Sequence, residues 1–242
     1  MTTSINSRLK KTLLVLAPIA LIAAITAPVS ADAAASTKSI TVSAEGTVKV
    51  TPDAVRVNAT ATLVAASNKL ALEGVSTTAN ALRAALKSAG IATKDIASQN
   101  VSAYPEYNYT SDKGAVLVGY RGSQSFTIVL RNAANAGTIV DAIVAAGGDN
   151  LQINGVSPFV LDASKAAEAA RSAAVKNAKT KAASYAKLLG VKLGSVTSLV
   201  ENGSPSISTP MYAASKVSAD AATVIDLGEQ DVTVSITISW GL

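Results

Sequence analysis

Cysteine and histidine are both missing from this chain of 242 residues. Without thiols there is no disulfide and no thiol redox chemistry. Without imidazole as well, Ser-His-Asp and Cys-His nucleophilic systems and ordinary zinc sites are excluded. A stable fold must therefore rest on its hydrophobic core. Aromatic residues make up only 4% of the chain, so each ring is conspicuous. Beyond the leader described next, the one methionine is Met211, a poor basis for sulfur scavenging.

What the chain does have at its start is an address. Arg8, Lys10 and Lys11 precede the apolar run TLLVLAPIALIAAITAPV, and VSADAAAS then offers small residues at cleavage spacing. These are the parts of a secretory signal peptide, expected to occupy residues 1–33 and to be cut after Ala31, Ala33 or Ala35. A retained membrane anchor fits less well, because the run is short and broken by Pro18 and Pro28, and no cysteine follows it to carry lipid. Residues 34–242 are then expected to form one secreted or periplasmic domain with no transmembrane segment after cleavage. The leader holds three basic residues and Asp32, so the whole-chain charge of +5 falls to +3. A field that weak gives no reason to expect a nucleic-acid partner.

Hydrophobic periodicity lays out the domain. Residues 39–50, SITVSAEGTVKV, alternate through Ile40, Val42 and Ala44 and resume at Val48, which predicts a strand with a kink or bulge at Gly46. Pro52 breaks it, and Val55, Val57, Ala59 and Ala61 predict a second strand, read as its antiparallel neighbour. Leu72, Val75, Ala79, Leu82 and Leu86 form one helical stripe closed by Gly90-Ile91. A second helix is expected over about 132–146 with Ile139, Ile143 and Val144 inward. The third, capped by Asp162 and closed at Gly190, turns Ala167, Ala170, Ala174, Ala178, Ala182 and Tyr185 inward and its lysines to solvent.

Further strands are expected over 94–109, 116–131, 150–161, 193–201 and 226–240. The last is the clearest, with Val232, Val234, Ile236, Ile238 and Trp240 on one face. Residues 204–221, rich in Ser, Ala and Pro, read as a mobile loop or interface arm. The order β-β-α-β-β-α-β-α-β-β predicts an α+β fold with helices packed on one face of a largely antiparallel sheet.

Four of the six tyrosines lie in YPEYNYTSDKGAVLVGYRGS, residues 104–123. Alternation makes this a β-hairpin rather than one stacking platform. Tyr107 and Tyr109 share a face with Val101 and Ala103, Tyr104 faces the other way with Glu106 and Asn108, and Tyr120 joins Val116, Val118 and Phe126 as a core residue. Tyr104, Tyr107 and Tyr109 are therefore the candidate interface residues. Other motifs read as structure: Asp53 as a turn residue after Pro52, and Asp149-Asn150 as turn chemistry before a cation site. Asp226, Glu229 and Asp231 have no second carboxylate cluster to pair with for acid/base work, and GYRG at 119–122 lies inside a strand rather than between helices.

Taken in order, several segments resemble the SIMPL-domain family of bacterial envelope proteins: ITVSAEGTVKVTPDAVRV at 40–57, LKSAGIATKDIASQNVSAYPEYNY at 86–109, GYRGSQSFTIVLR at 119–131, AAGGDNLQINGVSPFV at 145–160, AARSAAVKNAKTKAASYAKLLGVKLGSV at 169–196 and EQDVTVSITISW at 229–240. The chain departs from the family pattern at Ala44, where a glycine is usual. The resemblance implies a periplasmic, secreted or surface-associated protein, linked to oxidative and other stress, able to self-assemble, and without agreed catalytic residues. With no thiols, such a role would work by binding or scaffolding.

The leading expectation is thus a secreted, non-enzymatic, homo-oligomeric scaffold module of the envelope, with an envelope protein partner and with no catalytic, cofactor or metal residues. A carrier holding a small apolar or aromatic ligand between sheet and helices, through Tyr104, Tyr107, Tyr109 and Tyr120, is the alternative. A cofactor-free hydrolase using serines and lysines of SKAAEAARSAAVK is the third reading.

Overall fold

The computed structural model describes residues 38–208 and 223–242, which lie in one compact unit, Thr37–Leu242. The expected leader and residues 209–221 of the segment expected to be a loop or arm lie outside the described residues. The fold is α+β, built from two antiparallel four-stranded sheets, each backed by helix on one face.

The first sheet is formed by β1 (Ser39–Val50), β6 (Val196–Glu201), β7 (Ser206–Ser208) and β8 (Gln230–Gly241), with β8 between β1 on one side and β6 and β7 on the other. Alternation in β1 and β8 sorts their faces. Ile40, Val42, Ala44, Val234, Ile236, Ile238 and Trp240 pack with Ala170, Ala174, Ala178, Ala182 and Ala186 of α3 (Ser164–Leu189). The opposite face carries cross-strand hydroxyl pairs, Thr41 with Ser239 at 2.9 Å, Ser43 with Thr237 at 2.9 Å and Thr47 with Thr233 at 3.0 Å. Alanines on α3 let its backbone lie close on the sheet.

The second sheet has the order β3 (Ile96–Thr110), β4 (Gly114–Leu130), β2 (Ala54–Ala65), β5 (Leu151–Phe159). Its inner face, with Val55, Val57, Phe126, Ile128 and Leu130, is covered by α1 (Asn68–Ser88) through Val75, Ala79, Leu82 and Leu86, with α2 (Ala136–Gly147) alongside.

Five expectations are corrected. β1 and β2 do not pair: β1 runs against β8 over its full length, and β2 lies between β4 and β5. Thr51-Pro52-Asp53 carries the chain from one sheet into the other, and Asp53 fixes that crossing. Its carbonyl accepts from Ala133 N at 3.1 Å and its carboxylate from Leu161 N at 2.8 Å. The kink or bulge expected at Gly46 is absent, since the β1–β8 register runs unbroken through Gly46 and Val234. Gly46 instead faces the backbone of α3, where a Cβ would collide with Ala170 O and Ala174 N.

On α3 the inward residue of the last turn is Ala186, and Tyr185 is exposed, because the stripe continues at four-residue spacing from Ala182. On α2 the buried residues are Ala136, Val140 and Ile143, while Val144 points outward; the helix begins later than expected, after a short 3-10 turn at Ala133–Asn135.

Candidate functional site

The β3–β4 hairpin outruns the rest of its sheet. β2 ends at Ala65, opposite Tyr120, and the first turn of α1 sits over Gly122, where a Cβ would meet Ala71 O at 2.7 Å. Beyond Tyr120 six residues of β4 continue to the tip at Gly114, a two-stranded projection of about 20 Å.

Two bulges on opposite strands set which side chains share a face. In β3, Gln99 faces Ser125 and Ser102 faces Ser123, so one residue is extra, and Asn100 takes positive φ there. This turns the odd-numbered residues Ala103, Pro105, Tyr107 and Tyr109 toward the helix side. In β4, Gly119 faces Glu106 and Leu117 faces Tyr107, leaving Val118 extra.

The helix-side face of the projection therefore carries Tyr107 opposite Leu117 and Tyr109 opposite Ala115, with no helix among the described residues above them. Tyr107 is 46% exposed, Leu117 47% and Tyr109 77%. The reverse face holds Tyr104, Asn108, Val116 and the ion pair of Arg121 with Glu106 at 2.6 Å.

The faces expected for Tyr104, Tyr107 and Tyr109 are those observed. Val116 does not share the face of Tyr120, because alternation cannot register the bulge that leaves Val118 extra. Tyr120 is half-buried rather than core. Tyr104 lies on the face opposite Tyr107 and Tyr109, so the four tyrosines do not line one cavity.

A second exposed apolar region follows the edge strand β6 and the short β7: Val196, Leu199, Val200 and Ile207 are each about half exposed. Arg171 of α3 holds Glu201 at the end of β6 through two bonds of 2.8 and 3.0 Å, and the guanidinium lowers the Glu201 carboxyl below its ordinary value. Ser164, Lys165, Ser172 and Lys176, from the segment considered for hydrolase chemistry, are exposed on α3. Glu229 is engaged by Lys49 at 2.9 Å.

A hollow of about 460 Å³ lies at the opposite end of α1 from the projection's base. It is formed by the turn after α1, the end of β4 and the approach to α2, and includes Ile91, Lys94, Asp95, Arg131, Asn132 and Ile139. Asp95 is buried in its wall and accepts from Arg131 Nε at 2.8 Å and Nη2 at 2.7 Å. These bonds outweigh burial and hold the Asp95 carboxyl below its ordinary value. No sequence motif announced this site, since Lys94 and Asp95 lie in the turn after α1 and Arg131 follows the end of β4, 36 residues after Asp95.

The sign of the pH effect follows. A carboxyl depressed in the folded state contributes stability in full above its unfolded pKa of about 4 and loses it as pH falls through the folded value. Asp95→Asn is expected to lower the urea midpoint at pH 7, and the gap to the wild type should narrow toward pH 3. An undiminished gap at pH 3 would show that the substitution acts through packing instead.

The architecture defines a class: a two-sheet α+β protein, helix-backed on one face of each sheet, with a projecting apolar hairpin. Residues 40–240 match the SIMPL family model, described as a protein of unknown function (DUF541), and the chain belongs to that family. It is 29% identical over 214 residues to a 26 kDa periplasmic immunogenic protein of Brucella melitensis, covering 82% of each chain. It is also 34% identical over 132 residues to the uncharacterized protein YggE of Edwardsiella ictaluri (53% of this chain, 54% of that one), and 36% identical over 137 residues to YggE of Escherichia coli K12 (55% and 52%). In keeping with the periplasmic relative, this is an extracytoplasmic protein of the bacterial envelope. No helix among the described residues is long and apolar enough to cross a membrane.

Proposed function

We propose that this protein is a homo-oligomeric interaction module of the envelope that acts by binding and scaffolding rather than catalysis, with the β3–β4 projection as its docking element. The observation that carries the reading is the continuation of the second sheet's helix-side face past the end of α1, where Tyr107, Tyr109 and Leu117 stand uncovered. A two-stranded ribbon alone is marginal in water, and these side chains gain most by meeting another apolar surface.

A second copy supplies one. The β6–β7 edge has Val196, Leu199, Val200 and Ile207 exposed beside backbone groups that an added strand can use. Hairpin-on-edge contact joins unlike surfaces of identical chains, so it repeats from copy to copy and closes into rings or grows into filaments. Participation in envelope stress follows from the family resemblance; with no cysteine or histidine in the chain, it would be exercised through such contacts. Light scattering of the purified protein over a dilution series tests the assembly. Several chains per particle at micromolar concentration are expected, dissociating on dilution, and a strict monomer throughout that range would end the proposal.

A further inference from the structure

The hollow at the end of α1 is lined by more cations than carboxylates. A second hollow of about 250 Å³ shares Ile91 with it and is lined by Arg83, Lys87, Thr93 and Ile96. Together the two hollows bring Arg83, Lys87, Lys94 and Arg131 around the 91–96 segment, with Asp95 the one carboxylate among their lining residues. Arg83 is held by neutral partners, Asn80 at 3.3 Å and Ser98 at 3.0 Å. Lys87 and Lys94 form no ion pair among the described residues.

Asp95 engages only one edge of the Arg131 guanidinium, through Nε and Nη2. That orients the group and leaves Nη1 without a partner among the described residues, on a side chain that is 49% exposed. Ile91, Ile139 and Val129 supply apolar wall beside these cations. Four cations against the single carboxylate of Asp95 leave an excess of positive charge beside the apolar recess, which favours an added anion. The volume lies within the range of about 300–1,000 Å³ usual for small-molecule sites.

We propose that the larger hollow binds a small organic oxyanion, a carboxylate or phosphate monoester with a short apolar tail. Lys94 and Arg131 Nη1 hold the anionic group, Asp95 positions the guanidinium, and the tail lies against Ile91 and Ile139. Arg83 and Lys87 add to the local positive potential from the adjoining hollow. None of the tyrosines takes part, so the site is separate from the hairpin and stands whether or not the protein assembles.

Isothermal titration calorimetry of the full protein with sodium hexanoate, hexyl phosphate and hexanol provides the test, because it reads affinity regardless of particle size. Saturable binding of at least one of the two anions is expected, with much weaker binding of hexanol. The preferred anion distinguishes carboxylate from phosphate recognition. Lys94→Gln, a change at an exposed side chain, should weaken the bound anion by about five-fold. Lys165→Gln, at the start of α3, should leave it unchanged, and added salt should weaken binding further. Failure of both anions to bind saturably, hexanol binding as well as the anions, or unchanged affinity in Lys94→Gln would each overturn the proposal.

Discussion

Gly46→Ala is expected to destabilise the protein by about 3 kcal/mol, although alanine is ordinarily the better residue inside a strand by about 0.5–1 kcal/mol. The reversal comes from what the new methyl would meet. Gly46 lies on the buried face of β1, and its missing Cβ leaves the space taken by Ala170 O and Ala174 N of α3. Both are backbone atoms of a helix and cannot rotate aside. The helix must move off the sheet, loosening the buried Ala170, Ala174, Ala178, Ala182 and Ala186 contacts along its length. Gly155→Ala in β5 is the matched control, since a Cβ there meets nothing within 4 Å, and a change within about 0.5 kcal/mol is expected. Urea midpoints of the two variants read the difference directly. Equal midpoints would mean that Gly46 serves strand conformation rather than helix approach.

Gly46 also marks where sequence reading reaches its limit. The faces of β1 and β8 were legible, because each has one face buried under α3 and the other lined by hydroxyls, giving strict alternation. The alanine stripe of α3 was legible for the same reason. Pairing was not. β1 meets β8 from the far end of the chain, and nothing local distinguishes that partner from the adjacent β2. The crossing between the two sheets is held by the Asp53 bonds to Ala133 and Leu161, long-range contacts that exist only once β4 and β5 are in place.

The same distinction governs the candidate sites. Tyr104, Tyr107 and Tyr109 sorted correctly because they follow the first bulge without another interruption on their own strand. The residues opposite them did not sort, because the bulge at Val118 reverses the alternation between Leu117 and Tyr120. A strand whose two faces are both exposed imposes no hydrophobic pattern from which such a reversal could be read. The oxyanion hollow was invisible for a different reason. Arg83, Lys94 and Arg131 each look like ordinary surface cations in the chain, and only the turn after α1, folded back against the end of β4, collects them.

On the proposed docking through the hairpin, the double substitution Tyr107→Ser, Leu117→Ser is expected to weaken self-association by about 1,000-fold or more while leaving the isolated subunit as stable as before. The two side chains oppose each other across the hairpin beyond the end of β2, and neither belongs to the buried core. Roughly half of each remains exposed in the single chain, so a partner still has surface to cover. An anchor residue buried in the middle of an interface is worth about 2 kcal/mol or more, so two such losses together account for the expected factor.

Light scattering should find the variant reduced to single chains at concentrations where the wild type is assembled, with urea midpoints that agree within about 0.5 kcal/mol in stability when both are compared as monomers. Tyr104→Ser separates the two faces, for Tyr104 lies on the reverse side with Glu106 and Arg121. If the helix-side face docks, Tyr104→Ser should leave the particle mass near that of the wild type. If Tyr104→Ser dissociates the particles and the double variant does not, the reverse face is the contact, and the uncovered Tyr107, Tyr109 and Leu117 owe their exposure to something other than assembly.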